Sequence, residues 1–131
     1  MKVILECQEG ASALYRGTLV DETGIAIPAG QITDMRLLLY NASSSEGDVI
    51  NERDGSTNVL TDPASGVTMH ATNGLVTWQL SPEDNPIADH SLPYERHVAL
   101  LQFDFGTNGR GWHEIVMHVA NRRKLGQQIP A

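Results

Sequence analysis

Apolar and polar residues alternate with a period of two along most of this chain, and glycine, proline, asparagine and aspartate break the runs at short intervals. That period belongs to strands, whose successive side chains point to opposite faces. Residues 13–20, ALYRGTLV, form one such run and end at Asp21-Glu22-Thr23-Gly24, a turn with glycine available for positive φ. Ile25 and Ile27 predict a further short strand. In residues 31–40, Met35, Leu37 and Leu39 share one face while Arg36, Leu38 and Tyr40 share the other, the pattern of a strand buried on one side and half-buried on the second. Val49-Ile50-Asn51 predicts a brief strand between the polar stretches 41–48 and 52–58. Val59-Leu60 is an apolar stop before the turn cluster 61–66. Residues 67–71 and 75–80 flank Asn73-Gly74, a strong short-range hairpin signal. The second arm of that hairpin buries Val76, Trp78 and Leu80. Two longer runs, 95–105 and 112–120, sit around the glycine-rich connection 106–111. They direct Ala99, Leu101, Phe103 and Phe105, then Ile115, Met117 and Val119, to one face. Val98, Leu100, Gln102 and Asp104, with Glu114 and His118, take the other.

Seven or eight short strands with turn signals between them predict an all-β, antiparallel sandwich. No internal repeat or change of composition divides the chain, so residues 1–125 read as one domain and 126–131 as a flexible tail. One helical turn is expected near Ser81-Asn85: Ser81 caps the free N–H groups, Pro82 fits the first position, and Glu83 and Asp84 favour the positive end. Ser81, Pro82 and Asp84 are therefore read as a structural corner, with the Ser81 cap worth about 1 kcal/mol.

Composition narrows the function. The formal net charge of −7 argues against binding to nucleic acid, which needs clustered Lys and Arg. The opening apolar stretch Val3-Ile4-Leu5 is too short for a secretory signal, and no run is long enough to cross a bilayer, so a soluble protein without a membrane partner is expected. Cys7, the only cysteine, excludes an intrachain disulfide and reads as a buried, idle thiol.

Candidate chemistry is sparse. Five histidines invite a metal reading, but His113 and His118 are five apart and project to opposite faces of a strand. His97 on the neighbouring strand could approach one of them, yet no carboxylate stands at a ligand spacing, and the histidines read as solvent-facing. Glu83 and Asp84 sit in a polar loop with nothing to raise a pKa, and no nucleophile elbow, phosphate loop or dinucleotide fingerprint is present. No catalytic residue, metal or cofactor is expected. Trp78 and Trp112 read as core or sheet-face residues.

The stretches LLLYN, VINERDGSTNVL, GLVTWQLSPEDN, the ERH start of the long strand and HEIVMHVAN lie within residues 10–125. Together they resemble small tailed-bacteriophage virion proteins with an immunoglobulin-like β-sandwich, found beside capsid and connector proteins. The resemblance implies a non-enzymatic structural protein, made in the host cytoplasm and residing in the virion. It would sit at the head-to-tail connector or decorate the capsid. Its partners would be capsid, portal or connector subunits and further copies of itself. Val3 and Leu5 near the start, and Arg122, Arg123, Lys124 and Leu125 near the end, are the candidate partner contacts. The alternative is a stand-alone carbohydrate-binding or host-adhesion sandwich, which would need exposed aromatics on one sheet face.

Overall fold

The computed structural model describes residues 2–89 and 91–121. Among them run eight strands: β1 (Lys2–Gln8), β2 (Ala13–Thr18), β3 (Ile32–Asn41), β4 (Val49–Asp54), β5 (Val67–Met69), β6 (Leu75–Leu80), β7 (Tyr94–Phe105) and β8 (Gly109–Ala120). The helical pieces are single 3-10 turns at Ala29–Gln31, Pro63–Ser65 and Pro82–Asp84, the last where the sequence placed it. Five strands pair in the order β1-β8-β7-β3-β4, and three in the order β2-β6-β5. All pairs are antiparallel except β1 with β8. The second, sixth and fifth strands thus face a sheet built on the eighth, seventh and third. That is the strand arrangement of an immunoglobulin-like sandwich, widened by an extra strand beside the third and by the first strand along the last.

The alternation in the sequence explains which side of each strand is wet. Met35, Leu37, Leu39, Ala99, Leu101, Phe103, Ile115, Met117 and Val119 all enter one core with Val76, Trp78 and Leu80 from the smaller sheet. Trp78 is wholly buried at the centre of β6. The predicted β5–β6 hairpin is present, and Gly74 carries φ +71° at its turn. A Cβ there would stand 2.9 Å from the Leu19 carbonyl oxygen, so the turn needs glycine for space as well as for conformation.

Several boundaries differ from the sequence expectation. The β7–β8 connection closes over residues 106–108, because Gly109, Arg110 and Gly111 continue the ladder opposite Phe105, Asp104 and Phe103. β5 ends at Met69, and Ala71 lies in the exposed turn. Ile25 and Ile27 belong to no strand: one bridge joins Val20 to Ala26, with Ile27 in the core and Ile25 exposed. β4 runs on to Asp54 through Asn51 and Glu52, both left-handed (φ 53° and 56°). Those two residues insert an irregularity between the Tyr40–Val49 and Leu38–Asp54 pairs.

Candidate functional site

The β4 irregularity has a chemical result. Ile50 and Arg53 lie three residues apart instead of two, and both point inward: Ile50 joins the core, and Arg53 reaches Asp84 in the turn after β6. Arg53 grips the Asp84 carboxylate with Nε at 2.6 Å from Oδ1 and its second nitrogen at 3.1 Å from Oδ2. Asn51 Nδ2 donates to Oδ1 at 2.8 Å. The Ser81 backbone N–H donates to Oδ2 at 2.9 Å, and the Ser81 hydroxyl donates to the same oxygen at 3.2 Å. Burial opposes ionisation of Asp84, but these donors outweigh it and hold its carboxyl below the ordinary value. The Arg53 guanidinium also lies 5.6 Å from the centre of the Trp78 ring.

The expected corner is present with a reciprocal capping box between Ser81 and Asp84, though its weight lies elsewhere than the sequence suggests. Pro82 opens the turn and Ser81 precedes it, as read from the sequence. The hub, however, is Asp84, which is fully buried, while the Ser81 hydroxyl acts as a donor to it. Sequence could not place Arg53 opposite the turn, since the two meet only through the non-local packing of β4 on the β6 exit.

A second buried carboxylate closes the other end of the loop after that turn. Glu95 accepts from the Ala88 N–H at 3.0 Å, from the Asp89 N–H at 2.9 Å and from His97 Nε2 at 2.7 Å. His97 is fully buried, so desolvation outweighs Glu95 and lowers its pKa. Its Nδ1 has no hydrogen-bond partner among the described residues. Desolvation also opposes ionisation of Glu95, but the backbone donors and His97 bring its pKa below the ordinary value.

The third buried polar contact joins the two sheets. Tyr15 of β2 hydrogen-bonds His113 Nε2 of β8, and burial lowers the His113 pKa. With His113 neutral, the Tyr15 hydroxyl donates. Gly17 makes room for this pair, since a Cβ there would stand 2.4 Å from the Tyr15 hydroxyl. The sequence expectation that the histidines face solvent is thus overturned for His97 and His113, both inner-face residues that find polar partners. His118, at the surface, lies 3.4 Å from Glu6. The ladder sets His97 opposite Met117 and His113 opposite Leu101, so the two buried histidines do not meet.

These arrangements suit anchoring better than proton transfer. The Asp84 and Glu95 carboxylates are each occupied by several donors and held ionised, and the Cys7 thiol is pushed up to about 11 by burial and by Glu6. Among the described residues, no three His, Cys, Asp or Glu side chains gather in a position to hold a metal.

The outer face of the five-stranded sheet has a covered centre and exposed apolar groups toward its edges. One register line crosses all five strands as Ile4, Val116, Val98, Tyr40 and Val49. The two middle valines are covered by their surroundings, but the ends are bare: Ile4 is 65% exposed and Val49 47%. Trp112 lies on the same face, 52% exposed, at the mouth of a cleft of about 230 Å³ reached by Asp21, Glu22 and Arg110. Of the contacts expected from the sequence, Leu5 packs against the core, because the strand's alternation turns Ile4 outward instead. The Val3 backbone pairs with Ile115. Arg122, Arg123, Lys124 and Leu125 lie outside the described residues.

No family model and no curated protein matches the chain. Among solved structures it is similar to the ZIG-8–RIG-5 IG1–IG1 heterodimer, at 11% identity and TM-score 0.41, covering 91% of this chain and 82% of that one. It is also similar to the extracellular domain of the voltage-gated sodium channel β4 subunit, at 13% identity and TM-score 0.38, covering 91% of each chain. Both likenesses are loose, and the class of the protein rests on its own strand order: an all-β, immunoglobulin-like sandwich.

Proposed function

We propose that this protein is a non-enzymatic assembly subunit that works by protein–protein contact through the outer face of its five-stranded sheet. The observation that carries the reading is the register line from Ile4 to Val49, with aliphatic side chains left bare at both edges of the sheet. Apolar groups exposed on one face of a sheet offer contact area to a partner. The buried carboxylates support the non-enzymatic reading, since each serves to fix a loop. The stretches resembling tailed-phage virion proteins supply the setting: a subunit of the head-to-tail connector or the capsid surface, made in the host cytoplasm and packed against capsid, portal or connector proteins. The net charge of −7 fits a role without nucleic-acid contact.

Mass spectrometry and cryo-microscopy of purified particles test it. Particles should contain the protein, with Ile4 and Val49 at a subunit boundary, and Val49→Glu should reduce its incorporation. Absence from particles would defeat the virion reading.

One observation favours a second reading, a carbohydrate-binding or host-adhesion module: the half-exposed Trp112 beside a cleft of mixed polar and apolar lining. Sugars stack on such rings. Retention on a glycan array that disappears in Trp112→Ala would support it.

A further inference from the structure

The strand order makes β7 the middle strand of the larger sheet, with two strands on each side. A two-fold axis running along β7, just above the outer face, would exchange β8 with β3 and β1 with β4. The chemistry of the face can be checked against that exchange one register line at a time.

On the apolar line, Val98 lies on the axis. The exchange sets Ile4 over the partner's Val49, and Val116 beside the partner's Tyr40. The two most exposed aliphatic groups of the face thus cover each other. Two outer-facing positions farther along each strand, toward the β7–β8 turn, the next lines add charge. Trp112, Gln102 and Arg36 share one line, so each indole meets a guanidinium across the axis. Arg110, Asp104 and Asp34 share the line beyond it, so each Arg110 meets an Asp34. Asp104 meets its own copy there, but each is already held by Arg110 at 2.7 Å. Arg36 likewise holds Asp34 at 2.9 Å within one chain, leaving this end of the face a balanced band of two cations and two anions. The line between these and the apolar one brings Leu100 to its own copy and Glu114 to Leu38, and the line on the far side of Val98 brings Arg96 to its own copy; these are the least complementary contacts of the face.

From this we infer that the outer face of the five-stranded sheet binds a second copy of the same chain, as an isologous dimer with its two-fold axis along β7. In such an interface residue i meets j while j meets i, so one face must be complementary to itself. The pairs Ile4–Val49, Trp112–Arg36 and Arg110–Asp34 meet that condition. The inference rests on the proposed assembly role of this face and names its partner.

Sedimentation equilibrium of the full chain, with circular dichroism to verify folding, tests it. The wild type should reach a dimer within concentrations up to about 1 mM. Arg110→Glu and Asp34→Arg should each shift the protein to monomer, because each places like charges opposite one another twice. Mixing the two variants should restore a dimer, now a heterodimer in which one charge pair is reversed but matched and the other is the wild-type pair. Recovery on mixing is a readout that misfolding cannot produce.

A wild type that stays monomeric overturns the homotypic inference. If Val49→Glu still reduces incorporation into particles in that case, the face serves a different protein and the assembly role stands. If Val49→Glu changes neither property, both readings fall. A wild-type dimer that survives both single charge reversals would also overturn this arrangement.

Discussion

The two faces of the five-stranded sheet are cut from the same strands, yet each carries what the other would be expected to hold. The inner face buries His97, His113 and the Glu95 carboxylate among Leu, Ile, Met and Phe side chains. The outer face sets Ile4 and Val49 in water at its two edges. Burying a polar group is tolerable only when its partners travel with it. Glu95 has two backbone donors and an imidazole, and His113 has Tyr15. The inner polar groups therefore fix loops and sheets in place. The exposed aliphatics satisfy nothing within the chain, and in the proposed role their contacts lie between chains.

That contrast predicts opposite responses to mutation. The largest loss of stability should follow Asp84→Ala, which strands Arg53 without its bidentate partner and frees Asn51 and Ser81. About 3–5 kcal/mol is expected from urea unfolding. Glu95→Ala removes the acceptor for the Ala88 and Asp89 amides and should cost about 1–3 kcal/mol, with amide exchange rising first in residues 86–89.

Acid should act on the inner face in two stages. His97 and His113 have lowered pKa values in the fold, so the unfolded chain takes up protons first. Their contribution is complete above about pH 6.5 and is lost as the pH falls toward their folded values. Asp84 and Glu95, also lowered, contribute fully above about pH 4.5, and that contribution is lost below it. His97→Gln should shrink the first stage to the share carried by His113, measured as unfolding free energy between pH 7 and pH 5.

Ser81→Ala should cost only about 0.5 kcal/mol, because Asp84 keeps the Ser81 backbone N–H when the hydroxyl is lost. A loss above about 1 kcal/mol would show that the Ser81 hydroxyl carries more of the capping box than the Asp84 carboxylate does. The smallest change in stability, within about 0.5 kcal/mol, is expected for Val49→Glu, whose side chain is already half in water. The same substitution should abolish association.

Much of the inner face was legible in the sequence. The period-two alternation in 31–40, 75–80, 95–105 and 112–120 predicted which apolar side chains share the core, because on a strand the face follows from parity alone. Parity also placed Val98 and Leu100 on the outer side. It did not reveal that Ile4, Val116, Val98, Tyr40 and Val49 form one line, since that depends on non-local register, including a parallel pairing of the first strand with the last. The histidines were misread because burial of an imidazole depends on a partner elsewhere in the chain: Glu95 for His97, and Tyr15 for His113. Arg53 was hidden for a related reason. Residues 52–58 look like a polar loop, and only the two left-handed residues before Arg53 turn it toward Asp84.

The central claim is that Ile4 of one copy covers Val49 of another. Within one chain these residues stand on opposite edge strands, four strand spacings or about 19 Å apart, far beyond the reach of a disulfide. A chain carrying both Ile4→Cys and Val49→Cys should therefore form a covalent dimer under mild oxidation, seen on a non-reducing gel and reversed by reductant. Each single variant should stay monomeric under the same conditions. A double variant that remains monomeric, or single variants that cross-link equally well, would contradict the arrangement.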